Sequence, residues 1–506
     1  MSRLVLGWQV GEGLDPIYWT NRPHARAGSQ SASDLFQVPP EACAAHTAII
    51  AQSGSGKSYF LGRFVEEVAL RTRARCLVLD SNADFRRVTD VANDALWSAA
   101  KYEVSSQRGK LPHEASRAEF VAQWEKVQIR IRGGLRSHES NVIPITVPWL
   151  SVSPDFLAEN LGSADRTGVR NCHNFVQTIH DLLSLRAIVS GREVPEYISG
   201  AERLLRQAVD SPVDFSATVR EEWGLSKLPD VLGADAIEDV TAILRIDNLN
   251  REAVHRATDQ RLADALTAAR SIGETAKTYY FGKLGACRTT GVIESKLSLS
   301  RGAEEVAPRI DVIDLPSIDD STRLLVVNAV LQTEWEAART AWELALQRSP
   351  DADSRVPLLV IVDEAHNLVP RDPRNLAEAA IREQFRTFVA EGRKYGVFVV
   401  LVSQRPDKVD PIVLAECENR AVMRLSSETT VTLTRCALGL EEVPSERLLA
   451  CLAFPVGRAL MVGPWSTQGP RVLYAAARRT VEGGRNLRTD YWAADPVSTP
   501  RVNGQS

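Results

Sequence analysis

Two stretches of this chain carry residue types and spacings that could do chemistry on a nucleotide. The first is Ala51-Gln52-Ser53-Gly54-Ser55-Gly56-Lys57-Ser58. Glycines at 54 and 56 let backbone N–H groups turn inward around phosphates, Lys57 reaches the β- and γ-phosphates, and Ser58 ligates Mg2+ at the start of a helix whose dipole favours anions. Ser53, Gly54, Ser55, Gly56, Lys57, Ser58 and Tyr59 are therefore the expected ATP-binding residues, although Ala51 stands where this pattern usually has its first glycine. The second stretch runs from Leu358 to Pro406. It holds two apolar runs that end in polar residues, Asp363 and Glu364 after the first and Gln404 after the second. Asp363 is expected to hold Mg2+ through water, and Glu364 to orient and polarise the attacking water. Gln404 is expected to touch both the γ-phosphate and that water. Arg393, one turn before the second run, is a candidate arginine finger, acting within its own subunit or on a neighbour's nucleotide.

These side chains need a parallel sheet to place them. Continuous Val/Ile/Leu runs read as strands buried on both faces, and chemistry gathers at their carboxyl ends. A strand at about 46–51, the glycine loop, a helix over about 57–72 with Phe60, Leu61, Phe64, Val65 and Val68 at helical spacing, and a second strand at 76–80 make a βαβ unit, the setting a phosphate loop requires. Without that setting the acidic pair would be read as a helix cap. The tetrapeptide Asp363-Glu364-Ala365-His366 invites comparison with the RNA helicases named for it. However, 306 positions separate Lys57 from Asp363, too many for that family's core, and its later paired-arginine signature is missing. His366 is therefore read as a supporting or packing residue.

The remainder divides by pattern. Residues 1–44 read as an extended arm, too short for a full β-barrel. Residues 45–95 read as the first part of an α/β core, 96–307 as a mainly helical insertion, 308–480 as the rest of the core and 481–506 as a polar tail. At 506 residues there is material for several domains. A net charge of −4 argues against a uniformly basic surface, yet a ring can keep a few cations in its channel while its outside stays acidic. No apolar run approaches the roughly 20 residues needed to cross a bilayer. Seven scattered cysteines with no Cys-x-x-Cys pair suggest reduced thiols and a cytoplasmic protein. The adjacent Cys172 and His173 are read as helix packing rather than a metal site.

Taken together, HTAIIAQSGSGKS (46–58), VLDSNADF (78–85), VIDLPSI (312–318), LLVIVDEAHNLVP (358–370) and EGRKYGVFVVLVSQRPDKVDPIVLAECENRAVMRL (391–425) resemble the HerA/FtsK group of P-loop ATPases, HerA most closely. The resemblance covers roughly 40–95 and 308–480. It implies an α/β fold, a RecA-like P-loop core sheet with a large α-helical insertion. It also implies a homo-hexameric ring that moves double-stranded DNA by ATP hydrolysis, with a separate nuclease or other effector, in DNA end processing or antiviral defence. On that pattern Asp80 and Asp84 match acidic positions of the second strand. Arg405 and Lys408 are candidates for DNA contact by position. An ATP-gated scaffold ring that activates a partner, and a conjugation coupling ATPase, are the alternative readings.

Overall fold

The computed structural model describes residues 3–9, 35–94, 116–134, 141–148, 166–190, 197–210, 212–231, 240–241, 243–246, 250–271, 293–294, 307–347, 353, 355–467 and 469–483. In chain order, strands β1 (Leu4–Gln9), β2 (Leu35–Val38) and β3 (Thr47–Ile50) lead into helix α1 (Lys57–Arg71) and strand β4 (Arg75–Asp80). Then come α2 (Arg117–Trp124), β5 (Ile129–Gly133), β6 (Ile143–Pro144) and β7 (Val147–Pro148). A run of helices follows: α3 (Arg166–Ser190), α4 (Tyr197–Asp210), α5 (Phe215–Glu222), α6 (Leu228–Val231) and α7 (Arg251–Ser271). Strands β8 (Ile293–Glu294) and β9 (Ile310–Asp314), helix α8 (Asp320–Leu346), β10 (Leu358–Val362), α9 (Leu376–Tyr395) and β11 (Val397–Ser403) return to the α/β pattern. Helix α10 (Pro411–Ala415), β12 (Asn419–Val422), α11 (Glu428–Ala437), α12 (Ser445–Leu449), β13 (Arg458–Val462) and β14 (Arg471–Ala475) complete it.

One sheet takes in twelve of these strands in the order β2-β1-β14-β13-β12-β3-β11-β10-β4-β9-β5-β6. Its centre, from β12 to β9, is parallel. The strands there read as unbroken apolar runs because both faces are covered. Residues alternate between two cores. Ile49, Val78, Leu359, Ile361, Val400 and Val402 pack with Phe60, Phe64 and Val68 of α1 on one face. Ala48, Ile50, Leu77, Val360 and Leu401 pack with Val326 and Val330 of α8 and with Phe385 and Phe388 of α9 on the other.

Three expectations about domain boundaries change. The arm proposed for residues 1–44 supplies β1 and β2, which pair antiparallel with β14 and with each other and extend the sheet. Leu4 and Leu6 are fully buried, and the Val5 amide donates to Glu67 of α1 at 2.9 Å. The segment assigned to the helical insertion also contributes to the sheet, because β5 docks parallel on β9. Its alternating Arg130 and Arg132 hid it: both guanidiniums pair with the fully buried Asp311 carboxylate on the adjacent strand, each at 2.7 Å. The helical insertion itself packs on the sheet's second face. Phe175, Ile179, Leu182 and Leu183 of α3 and Leu262 of α7 belong to the same core as α8 and α9. Finally, the tail begins later than expected, since residues 481–483 are bound to the body by the Val481 amide on Asp90 and the Gly483 amide on Asp84. The side chains of Cys172 and His173, and residues 484–506, lie outside the described ones.

Candidate nucleotide site

The glycine loop is suspended between three strand ends. Leaving β3, the Ala51 amide donates to the Ser403 carbonyl at the end of β11 (3.1 Å), and the Gln52 amide to the Arg424 carbonyl beyond β12 (3.0 Å). Arg424 Nη2 also holds the Gly54 carbonyl at 2.8 Å, and the Gly457 amide, entering β13, holds the Ser55 carbonyl at 2.9 Å. Gly56 takes a left-handed backbone (φ 92°), and a Cβ there would sit 3.0 Å from the Gly457 nitrogen, so the turn into α1 needs a glycine. Ala51, where another glycine was expected, is fully buried among the α1 side of the core and leaves the turn intact.

The sheet order puts one strand, β11, between the loop-bearing β3 and the acidic β10. Three neighbouring carboxyl ends therefore bring Lys57, Asp363, Glu364 and Gln404 together. Lys57 Nζ, in a residue only 8% exposed, donates to Asp363 Oδ1 at 2.9 Å and also to Glu364 Oε1. Gln404 Nε2 donates to that same Glu364 oxygen at 2.6 Å. Burial alone would lower the Lys57 pKa, but the two carboxylates outweigh it and the ammonium is held charged. Burial would raise Glu364, and here Lys57 and the Gln404 amide prevail and lower it. Asp363 is raised by burial, with Lys57 opposing and Glu364 and Asp84 reinforcing. Glu364 itself adopts a left-handed backbone (φ 48°), uncommon for a residue with a side chain and a form of strain found at functional sites.

Several residues at the site had not been singled out. Asn82 Nδ2 donates to Asp363 Oδ2 at 2.8 Å, and Ser81 Oγ to the Asp363 carbonyl at 2.8 Å. Both lie in the stretch after β4, between Asp80 and Asp84. Asp80 is a buried hub: its carboxylate accepts the amides of Asn82, Asp84 and Phe85. Burial pushes its pKa up to about 7, with the Phe85 and Asn82 amides opposing and Asp363 and Asp84 reinforcing. His366 contacts Ser403 Oγ at 3.3 Å and Glu364 Oε2 at 3.5 Å, a supporting position. Ser58 Oγ donates to Asp84 Oδ2 at 2.5 Å. Tyr59, beside it, is about half exposed.

Arg393 is not part of this cluster. It ends α9 at the amino edge of β11, while Gln404 follows the carboxyl edge, so a strand's length of roughly 20 Å separates them. Its guanidinium pairs with Glu418 on the way into β12. A finger role within its own subunit is thereby ruled out by distance. Arg405 and Lys408 lie on the loop after β11, where the Arg371 amide donates to the Lys408 carbonyl at 2.8 Å.

The donors suit ATP and Mg2+. Hard oxygen ligands are available from Ser58 and Asp363, and the fully buried Ser55 Oγ has no hydrogen-bond partner among the described residues. Lys57, now on two carboxylates, is the cation that phosphates would compete for.

A family model described as helicase HerA, central domain, matches residues 35–333. A protein of Methanocaldococcus jannaschii described as a probable helicase is 24% identical over 194 residues, 38% of this chain and 36% of its own. A DNA double-strand break repair helicase HerA of Pyrococcus furiosus is 29% identical over 137 residues, 23% of this chain and 24% of its own. The chain thus spans about a third or less of these relatives. Among solved structures, the bacterial conjugative coupling protein TrwBdeltaN70 aligns over 96% of both chains at 10% identity, with a TM-score of 0.42.

Proposed function

This chain belongs to the HerA central-domain family, and on that premise we propose that it is a Mg2+-dependent ATPase that moves double-stranded DNA as a head-to-tail homo-hexameric ring. The observation that carries this reading is the cluster of Lys57, Asp363, Glu364 and Gln404 at three adjacent strand ends. Backbone amides from Ser53 to Tyr59 bind the phosphates, and Ser58 and Asp363 would hold the metal, which would supply neutralisation of charge at the γ-phosphate. On binding, Lys57 exchanges its carboxylate partners for phosphate oxygens. That releases Glu364 to accept a proton from water, while Gln404 keeps contact with the Glu364 carboxylate and reports the state of the site to β11. Arg393, remote from its own subunit's loop, acts on the neighbour's nucleotide across a heterologous interface. Contacts to DNA are mainly to phosphates and independent of sequence, and a separate nuclease or other effector uses the motor in end processing or antiviral defence.

ATP turnover with and without duplex DNA tests this reading. We expect DNA to stimulate hydrolysis and the effect to fall with added salt. Glu364→Gln should lower kcat by about 100-fold or more while ATP still binds. Duplex DNA that neither binds nor stimulates, where a protein partner does, would leave only the scaffold-ring reading.

A further inference from the structure

The amino edge of the sheet, opposite the nucleotide cluster, carries a long groove. It crosses the starts of five adjacent strands: Val397 of β11, Leu358 of β10, Arg75 of β4, Arg309 just before β9 and Gln128 just before β5. Its two halves, of about 500 and 620 Å3, meet at Arg75, Ala307 and Val356, which line both. The first half is apolar. Ala338, Ala341 and Ala345 recur there at helical spacing along α8, and Leu344 and Val356 are each about half exposed. The neighbouring stripe of α8 is already in use, since Trp335 stacks on Phe388 and Trp342 meets Tyr395 edge-on. The second half is basic. Arg73, Arg75, Lys126 and Arg309 line it, and among the described residues no carboxylate does. Arg75 is paired with Glu334 at 2.9 Å. Arg73, Lys126 and Arg309 have no ion-pair partner among the described residues, and Arg309 donates only to the Ala74 carbonyl, at 3.4 Å. Arg73 and Lys126 follow α1 and α2, whose carbonyl ends favour a cation. Arg309 follows no helix, so helix ends do not account for the whole cluster.

We propose that this groove binds an extended segment of a partner protein that is acidic at one end and apolar at the other. Four strand spacings of about 4.8 Å give the groove a length of roughly 19 Å, enough for about six extended residues. Carboxylates of the segment sit among Arg73, Lys126 and Arg309, and its apolar side chains cover Ala341, Ala345 and Leu344. The charges steer and select the segment, and burial of apolar surface holds it. The apolar half favours a polypeptide over nucleic acid, because a phosphate backbone has nothing to bury there. The whole length of β10 separates Leu358 in the groove from Asp363 in the nucleotide cluster. The inference therefore goes beyond the ATPase reading and does not depend on it.

The test uses the full chain and a fluorescein-labelled peptide, Glu-Glu-Glu-Leu-Ala-Leu-Leu, followed by fluorescence anisotropy. We expect binding that weakens with added salt, and about tenfold weaker binding of Glu-Glu-Glu-Ser-Gly-Ser-Ser. Lys126→Glu combined with Arg309→Glu should weaken binding of the leucine peptide by about tenfold or more, and Leu344→Ser, at an exposed position, by several-fold. ATP turnover and the thermal midpoint should stay as in the unaltered protein, which separates loss of the groove from loss of the fold. No binding of the leucine peptide, or equal binding of the two peptides, overturns the inference and leaves the ATPase reading in place. A duplex oligonucleotide that displaces the peptide, and whose binding responds to the charge reversal but not to Leu344→Ser, makes the groove a phosphate site. A lower assembly mass in the charge-reversed variant makes it a contact between subunits, and either result overturns the inference as well.

Discussion

At the scale of single residues, the site is a buried ion cluster. Lys57 neutralises two carboxylates that would otherwise repel each other in a medium of low dielectric, and Gln404 fills a lone pair that Lys57 leaves. Removing one partner of a buried pair is costly, about 3–5 kcal/mol, because the other charge stays behind. Lys57→Ala should therefore abolish nucleotide binding and also lower the thermal midpoint at neutral pH. Without the ammonium, Asp363 and Glu364 have pKa values raised above those of the unfolded chain. Raised acids destabilise the fold above those values and cease to do so below them, so the deficit should shrink as the pH is lowered toward 5. Melting curves across that range check it, and a deficit independent of pH would mean that packing, not charge, was lost.

At the scale of elements, the strands β1 and β3 can each be tested through one side chain. Leu6 is fully buried between the sheet edge and α1. Leu6→Ala should cost about 2–5 kcal/mol by denaturant titration, whereas a loose arm would register nothing. His46, just before β3, accepts the Val399 amide through Nδ1 at 3.0 Å and so ties the loop-bearing strand to β11. Burial, and then the Arg393 charge, push its pKa down to about 4, against the opposing effects of a Val389 hydrogen bond and of Glu418. A depressed histidine is stabilising above its unfolded pKa near 6.5, and that contribution is lost as the pH falls toward 4, on the order of 3 kcal/mol. Asp80, raised to about 7, acts in the opposite sense: its contribution is present at low pH and is lost as the pH rises toward 7. The stability difference between the natural protein and His46→Gln isolates the histidine, and it should change between pH 6.5 and 4 and be flat above.

At the scale of the whole molecule, the parallel sheet has two chemically different edges. The carboxyl edge holds the nucleotide cluster, and the amino edge presents Arg393 with Glu418. In the proposed head-to-tail ring the two edges would meet across each interface, so two inactive variants should complement. Arg393→Ala mixed with Glu364→Gln should recover a part of the ATPase activity that neither shows alone, because an Arg393→Ala subunit keeps its own Glu364 and receives arginine from its neighbour. No recovery on mixing, with ring assembly verified by mass, would place the finger elsewhere.

The sequence by itself determined what is local or periodic. The glycine loop with Lys57 and Ser58, the strand ending in Asp363 and Glu364, and the strand ending in Gln404 were legible because phosphate-binding turns and strands buried on both faces dictate residue types over a few consecutive positions. The tertiary structure decided what depends on partners distant along the chain. β5 became a sheet strand through arginines that only the buried Asp311 makes tolerable there. The arm became an edge because β14 offered an unpaired ladder. Arg393 was moved off its own site by the direction of β11. Arg479 and Thr480, in a stretch without pattern, are held across the helix by the buried Glu66. Such pairings have no period and no composition, since their energy resides in contacts that exist only once the sheet has formed.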